Sequence, residues 1–204
     1  MQLMTTLVGK SFDAAREFLV NWVENARDKQ LQNREEHTTC SFEDDLQQEL
    51  GFQFLDKGAH AATFLSPCKR FVVKANFGYD RAYHRFVDLA QTRQDNPHYP
   101  KIYFAHHDRL FQVVVMEFLE PLNEDDAELS KQSNYLQLKA AMGMCPSNLE
   151  GSADFVRLIW DMYALFEQDG IGEDLAGRNI MMRNQDGAPV LVVVDPACPS
   201  AAWD

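Results

Sequence analysis

The sequence predicts an α+β fold on three observations: short apolar segments broken by turn residues between 51 and 118, a strongly amphipathic helix over 153–169, and an apolar hairpin ending at Asp195. Its 204 residues, 46% hydrophobic and 11% aromatic, suffice for a sizeable core in one domain of two lobes.

Residues 11–28 (SFDAAREFLVNWVENARD) put Phe12, Ala15, Phe18, Leu19 and Trp22 on one helical face, with Ser11 or Asp13 as the cap. The polar stretch 29–44 has no period and reads as a loop; 45–50 reads as a short helical turn. GFQFLDKG, HAATFLS and RFVVKANF, the last preceded by the turn Pro67-Cys68-Lys69, read as three antiparallel strands. DRAYHRFVDLAQTR (80–93) reads as a helix that ends before Pro97 and Pro100. KIYFAHH and LFQVVVMEF are then two strands joined at His107-Asp108-Arg109, so that three strands, a helix and two strands suggest a mixed sheet with one helix against it. The polar stretch 121–150, with Pro121 and Pro146, predicts only a weak helix near 131–142. Residues 153–169 carry Phe155, Leu158, Ile159, Met162, Leu165 and Phe166 on one stripe, and Gly170 stops them. NIMMR, the turn Asn184-Gln185-Asp186-Gly187 and PVLVVVDP complete a hairpin whose second strand is buried.

Composition excludes several classes. Apolar runs such as Val190–Val194 and Val113–Met116 are too short to cross a bilayer, and the N-terminus lacks the basic-then-apolar pattern of an export signal. Cys40, Cys68, Cys145 and Cys198 are scattered, which predicts reduced, mostly buried thiols and a cytoplasmic setting. A net charge of -12 and a pI near 4.9 argue against direct nucleic-acid binding, since phosphate backbones are held by Lys and Arg. The acid clusters Glu43-Asp44-Asp45 and Glu124-Asp125-Asp126 read as solvated loops ahead of phosphate mimics.

The stretch 174–195 carries chemistry. DLAGRN is followed by a strand, a tight turn and an apolar strand ending in Asp195. One carboxylate to orient a hydroxyl, plus an amide oxygen and a second carboxylate to hold magnesium across nucleotide phosphates, is what metal-assisted phosphoryl transfer needs. Taken singly, Asp174 capping a turn, Asn179 in a tight loop and Asp195-Pro196 ending a strand are ordinary turn chemistry; their order after this helix favours a site. Upstream, LDKGAHAATF is a small-residue turn between strands, where backbone N–H groups can approach phosphate oxygens. Lys74, in an otherwise apolar strand, needs an anionic partner if it points inward and water if it lies on an edge.

This order of features over residues 51–197 resembles the protein kinase fold: small-residue loop, strand lysine, helix, Met-Glu-Phe segment, long helix, D-x4-N and strand-end aspartate. Within it, VVKANF, RAYHRFVDL and the run from EDLAGRNIMM to VVVDP look most like the early serine/threonine protein kinases of T-seven-like bacteriophages. The resemblance implies a minimal two-lobed protein-kinase-like fold: a helical extension at 1–50, an N-lobe with an antiparallel sheet at 51–120, and a truncated helical C-lobe with catalytic loop and metal-binding segment at 121–204. It implies ATP and Mg2+ as cofactors, and Asp174, Lys74 and Arg178 as catalytic residues. Gly58, Ala59, His60, Ala61, Lys74, Glu117 and Leu119 would contact the nucleotide, bound between the lobes, and Asn179 and Asp195 the metal. Host bacterial proteins would be the substrates, in the cytoplasm of an infected cell.

Departures from the kinase pattern carry expectations of their own. Gly172-Glu173 replaces the His-Arg before the catalytic aspartate, so activation by loop phosphorylation is not expected. Ala176 replaces a lysine, a charge that Arg178 would have to supply. Pro196-Ala197 replaces Phe-Gly, and the helix at 80–93 offers only Asp80 and Asp88 as acids, leaving Lys74 to be held by phosphate alone. The nine residues after Asp195 leave no room for an activation segment, peptide-binding helices or the phage kinases' C-terminal region. Two other readings are a pseudokinase or acidic inhibitor that blocks a host protein, and a small-molecule phosphotransferase, which usually has a longer C-terminal part.

Overall fold

The computed structural model describes residues 20, 21, 24, 44–58, 61–77, 80–107, 111–123, 125–141, 148–169, 171–175 and 177–198. The predicted helix at 11–28 and the predicted loop at 29–44 otherwise lie outside them; Val20, Asn21 and Glu24 are helical, and so, contrary to the expected loop, is Asp44. The fold is α+β, and the chain divides into two compact units, 1–80 with 102–118 and 81–101 with 119–204. Among the described residues no helix is long and apolar enough to cross a membrane.

The first unit is a five-stranded sheet of β1 (Gln53–Lys57), β2 (Ala61–Leu65), β3 (Phe71–Phe77), β4 (Ile102–His107) and β5 (Phe111–Glu117), in the order β1-β2-β3-β5-β4. Every pairing is antiparallel, which corrects the mixed sheet expected above. Although β3 and β4 run the same way, β5 returns between them and pairs with both, so no parallel pair forms. One face is apolar: Ala62 and Phe64, Phe71, Val73 and Ala75, and Val113 and Val115 are buried with Leu46, Leu50 and Phe52. Leu46 and Leu50 come from the predicted turn at 45–50, which is a π-type turn over Asp45–Glu49. Phe52 meets Phe71 edge-on at 6.0 Å. The turn at Pro67-Cys68-Lys69 is present, with Lys69 at φ 56° and the Ser66 N–H bonded to the Phe71 carbonyl at 3.0 Å.

In the second unit, α1 (Arg81–Gln91) buries Ala82, Tyr83, Phe86, Val87 and Ala90 along one face. The weak helix near 131–142 proves to be α2 (Ala127–Ala141). Asp126 starts it by accepting from the N–H groups of Glu128 and Leu129 at 3.1 and 3.0 Å, and Leu129, Ser133 and Leu136 are its buried stripe. So sparse a stripe among polar residues gives little periodic signal. Helix α3 (Ala153–Asp169) buries the six predicted positions, and Ser152 caps it through the Phe155 N–H at 3.1 Å. Gly151, at φ +126°, is required: a Cβ there would lie 2.8 Å from the Phe155 ring. The sheet of this unit is β6 (Glu120–Pro121), β8 (Ile180–Gln185) and β9 (Ala188–Val193), and a second ladder joins β7 (Gly172–Glu173) to β10 (Ala197–Cys198). The β8–β9 hairpin turns on Asp186 and Gly187, at φ 53° and 83°, both left-handed as a two-residue turn demands.

The polar segment after α1 ties this unit together. Arg93 donates to Asp161 of α3 through Nε at 2.7 Å and Nη2 at 3.0 Å, and the Tyr99 hydroxyl donates to the same carboxylate at 3.0 Å. Burial first, and the Asp161 charge second, push the Tyr99 phenol far above its ordinary range. Arg183 of β8 donates to the carbonyls of Pro97 and Tyr99 at 2.7 and 2.9 Å. Asp161→Ala removes the shared acceptor and leaves Arg93 largely enclosed without its anion, so the urea midpoint should fall by an equivalent of about 2 to 3 kcal/mol. Asp161→Asn, which keeps one acceptor, should lose less, and equal midpoints for all three proteins would refute this role.

Candidate active site

After α3 the chain enters β7, whose two residues pair with β10: Glu173 with Ala197 and Gly172 with Cys198. The next residue continues the ladder, its Asp174 N–H donating to the Pro196 carbonyl at 2.7 Å. A 3-10 turn, Gly177–Asn179, leads into β8, and the Asn179 carbonyl accepts from the Val194 N–H at 2.9 Å. The Asn179 side chain closes the circuit, its Nδ2 donating to the Asp174 carbonyl at 2.8 Å. Asp195 thus stands between two residues, 194 and 196, that are each bonded to the loop carrying Asp174 and Asn179.

Neighbouring elements hold the loop. Ile171 and Leu175 are buried, and the Leu175 carbonyl accepts from Gln137 Nε2 of α2 at 2.8 Å. Behind β9, His98 Nδ1 lies 2.8 Å from the Leu191 carbonyl and the Val193 N–H donates to the His98 carbonyl at 3.0 Å. A carbonyl accepts only, so Nδ1 carries the proton. Burial lowers the His98 pKa, against the raising effect of that bond. Asp174 and Asp195 are half-buried and Asn179 buried, while Arg178 is exposed on the 3-10 turn.

The donor set suits a hard divalent cation: two carboxylates and an amide whose nitrogen is committed to the backbone, so that Oδ1 is the atom a cation can take. Asp88, the one acid on α1, lies 3.2 Å from His84 Nε2.

The remaining predicted residues lie mostly in the sheet unit. Lys74 is half-buried at the middle of β3, between Thr63 of β2 and Val114 of β5. The Gly58 N–H donates to the Ala61 carbonyl at 2.8 Å, closing the β1–β2 turn; Ala59 and His60 lie outside the described residues. Among the described residues a Cβ on Gly58 would meet only the Ala61 oxygen, at 3.8 Å, so their packing does not demand glycine there. Glu117 ends β5 opposite Phe71, and Leu119, 5% exposed, belongs to the second unit. The structure therefore brings Asp174, Arg178, Asn179 and Asp195 together on one loop system, and places Gly58, Ala61, Lys74 and Glu117 on the sheet.

Sequence reasoning missed Gln137 and His98, which support the loop from α2 and behind β9; both are polar residues in ordinary surroundings and carry no local signal. Cys68 and Cys198 are in no disulfide and half-buried, less enclosed than expected, because one sits in a turn and the other on a two-residue edge strand. Burial alone would raise the Cys68 pKa, but the hydrogen bonds and charge of Ser66 and Arg70 together outweigh it and hold the thiol below its usual range. Cys40 and Cys145 lie outside the described residues.

The sequence matches no protein-family model and no curated protein.

Two outcomes follow from this geometry. Asn179→Asp keeps the oxygens but sets a carboxylate against the Asp174 carbonyl, and should cost about 1 to 3 kcal/mol in urea titrations above pH 6. An unchanged midpoint would show that the side chain does not close the loop. His98 gives a pH dependence: its folded pKa is depressed, so the unfolded chain binds the extra proton first. Its stabilising contribution is complete above about 6.5 and falls as pH drops below that value. Thermal midpoints from pH 7.5 to 5 should decline, and the slope should shrink in His98→Gln.

Proposed function

We propose that this protein is an ATP- and magnesium-dependent serine/threonine protein kinase acting on proteins of a bacterial host. The observation that carries the reading is the bond from the Asn179 amide to the Asp174 carbonyl, inside a circuit that also brackets Asp195. Two carboxylates and an amide oxygen, carried on segments that these bonds join, are the groups that a magnesium–phosphate site requires.

In this reading the Asp174 carboxylate accepts the proton of a substrate hydroxyl as that oxygen bonds to the γ-phosphorus. The bond to the bridging oxygen breaks and ADP leaves with the electron pair. Lys74 and Arg178 set positive charge against phosphate oxygens. Gly58, Ala59, His60 and Ala61 would approach the phosphates, and Glu117 and Leu119 would contact the nucleotide. Asn179 and Asp195 would hold Mg2+, which when bound neutralises phosphate charge. Gly172-Glu173 before Asp174 supports a kinase that needs no loop phosphorylation.

Purified protein with labelled ATP, magnesium and a bacterial lysate should label host proteins on Ser and Thr. Asp174→Ala should cut transfer by about 10²- to 10⁴-fold while nucleotide still binds. Asp195→Ala should abolish magnesium-dependent binding or transfer with the fold intact, because the main chain at 194 and 196 makes the flanking bonds. Full activity in Asp195→Ala would reject the assignment. Nucleotide binding without transfer in the unaltered protein would favour a pseudokinase, no nucleotide binding an acidic inhibitor, and transfer only to small molecules the third class.

A further inference from the structure

A hydroxyl on the inward face of a helix is costly unless it holds a partner, and α2 carries one. Ser133 is 6% exposed, between Leu129 at 2% and Leu136 at 0%, on the buried stripe of a helix that packs against α3 and β9. One turn later, Gln137 donates from Nε2 to the Ser133 Oγ at 3.4 Å and to the Leu175 carbonyl at 2.8 Å. A carbonyl only accepts, so the amide presents its nitrogen to the loop. Its two hydrogens have two acceptors, and the serine keeps the group turned toward Leu175.

Leu175 follows Asp174 directly, and the peptide planes around it are held from different places. The Asp174 N–H is bonded to the Pro196 carbonyl at 2.7 Å, and the Asp174 carbonyl accepts from the Asn179 amide at 2.8 Å. The next plane, that of the Leu175 carbonyl, is held by a helix residue 38 positions earlier in the chain. Asn179 thus fixes the plane before Leu175 and Gln137 the plane after it, so the backbone at Leu175 cannot turn without breaking one of these bonds. The return of the chain from Asp174 to Asn179 starts at that second plane, and its direction sets how squarely the Asn179 amide meets the Asp174 carbonyl.

We propose that Gln137, oriented by Ser133, is a positioning residue for Asp174 in phosphoryl transfer. The clamp on Leu175 lies wholly within the second unit; its catalytic use rests on the kinase reading. Helix α2, so faint in the sequence, thereby belongs to the machinery of transfer.

The test pairs leucine carrying 13C at its carbonyl with 15N-alanine. Two Leu-Ala pairs then give signals, Leu175-Ala176 and, as an internal control, Leu89-Ala90; Ala176→Gly identifies the first. In Gln137→Met, which keeps the length and removes the donor, the Leu175 carbonyl signal should move upfield while that of Leu89 stays. Transfer should lose about 10- to 100-fold in kcat with a smaller effect on KM for ATP, since a misplaced base slows the reaction of a nucleotide that still binds. In Gln137→Glu the ionised side chain repels the carbonyl and the protonated one donates to it. Its loss in kcat relative to the unaltered protein should therefore shrink as pH falls from about 8 to about 5.5, a reversal that lost packing would not give. Ser133→Ala should move both readouts the same way and by less. An unmoved Leu175 signal in a natively folded Gln137→Met protein would overturn the clamp, and a moved signal with kcat unchanged would overturn the positioning role. If the methionine variant does not fold, Gln137→Glu and Ser133→Ala decide in its place, and kcat equal to that of the unaltered protein at every pH in both would overturn the role. Absence of transfer by the unaltered protein would instead defeat the kinase reading and this use with it, and the carbonyl signals alone would then decide the clamp.

Discussion

The arrangement at 174–195 depends on one hydrogen bond, from the Asn179 amide to the Asp174 carbonyl. Of the three bonds that close the loop circuit, two join main chain to main chain and are indifferent to side-chain identity. Only the third requires a particular residue. Serine is too short to span the turn, aspartate has no donor when ionised, and glutamine adds a methylene that a buried position must accommodate. The same amide then presents its oxygen, so one side chain sets both the loop's shape and part of its donor set.

Around that bond the second unit is assembled with polar cement. Asn96, His98, Tyr99 and Arg93 all make long-range bonds, to α3 and to the β8–β9 hairpin. A segment that reads from its prolines as a simple helix terminator is instead buried and bonded on several sides: Asn96 is 2% exposed, His98 7% and Tyr99 1%. Each of these groups gives up water for a partner, so the segment gains definition chiefly by avoiding unmade bonds.

How much of this was legible in the sequence follows from the range of each signal. Helix α3 was, because six apolar residues recur at its period; the β8–β9 hairpin was, because Asp186-Gly187 is a strong local turn signal. The two-residue strands β6, β7 and β10 are too short to show any alternation, and they exist only because a distant strand offers partners. At the site, the spacing of Asp174 and Asn179 was readable, as was the apolar run into Asp195. The bond that joins the first two was not, since spacing alone does not say which way the Asn179 side chain turns. Nor were the support from Gln137 and His98 and the buried pair Asn76 and Gln112, whose carboxamide oxygens have no partner among the described residues; these are relations between residues far apart in the chain or on neighbouring strands. Gln112 did leave a trace, a polar residue in the run Leu110 to Met116, and only the register reveals its neighbours.

The position of β5 between β3 and β4 has a consequence for biogenesis. Strands β1 to β3 form a meander from consecutive segments, and this can close early. The long edge of β3 then stays open through synthesis of α1 and β4, until residues 111–117 arrive to fill the gap. During that interval a nascent chain displays one open edge of a seven-residue strand, five of its residues apolar, to any passing edge. Lys74 and Asn76, the two polar members of that strand, are then the gatekeepers against pairing with a stranger, before either has a part in the finished molecule.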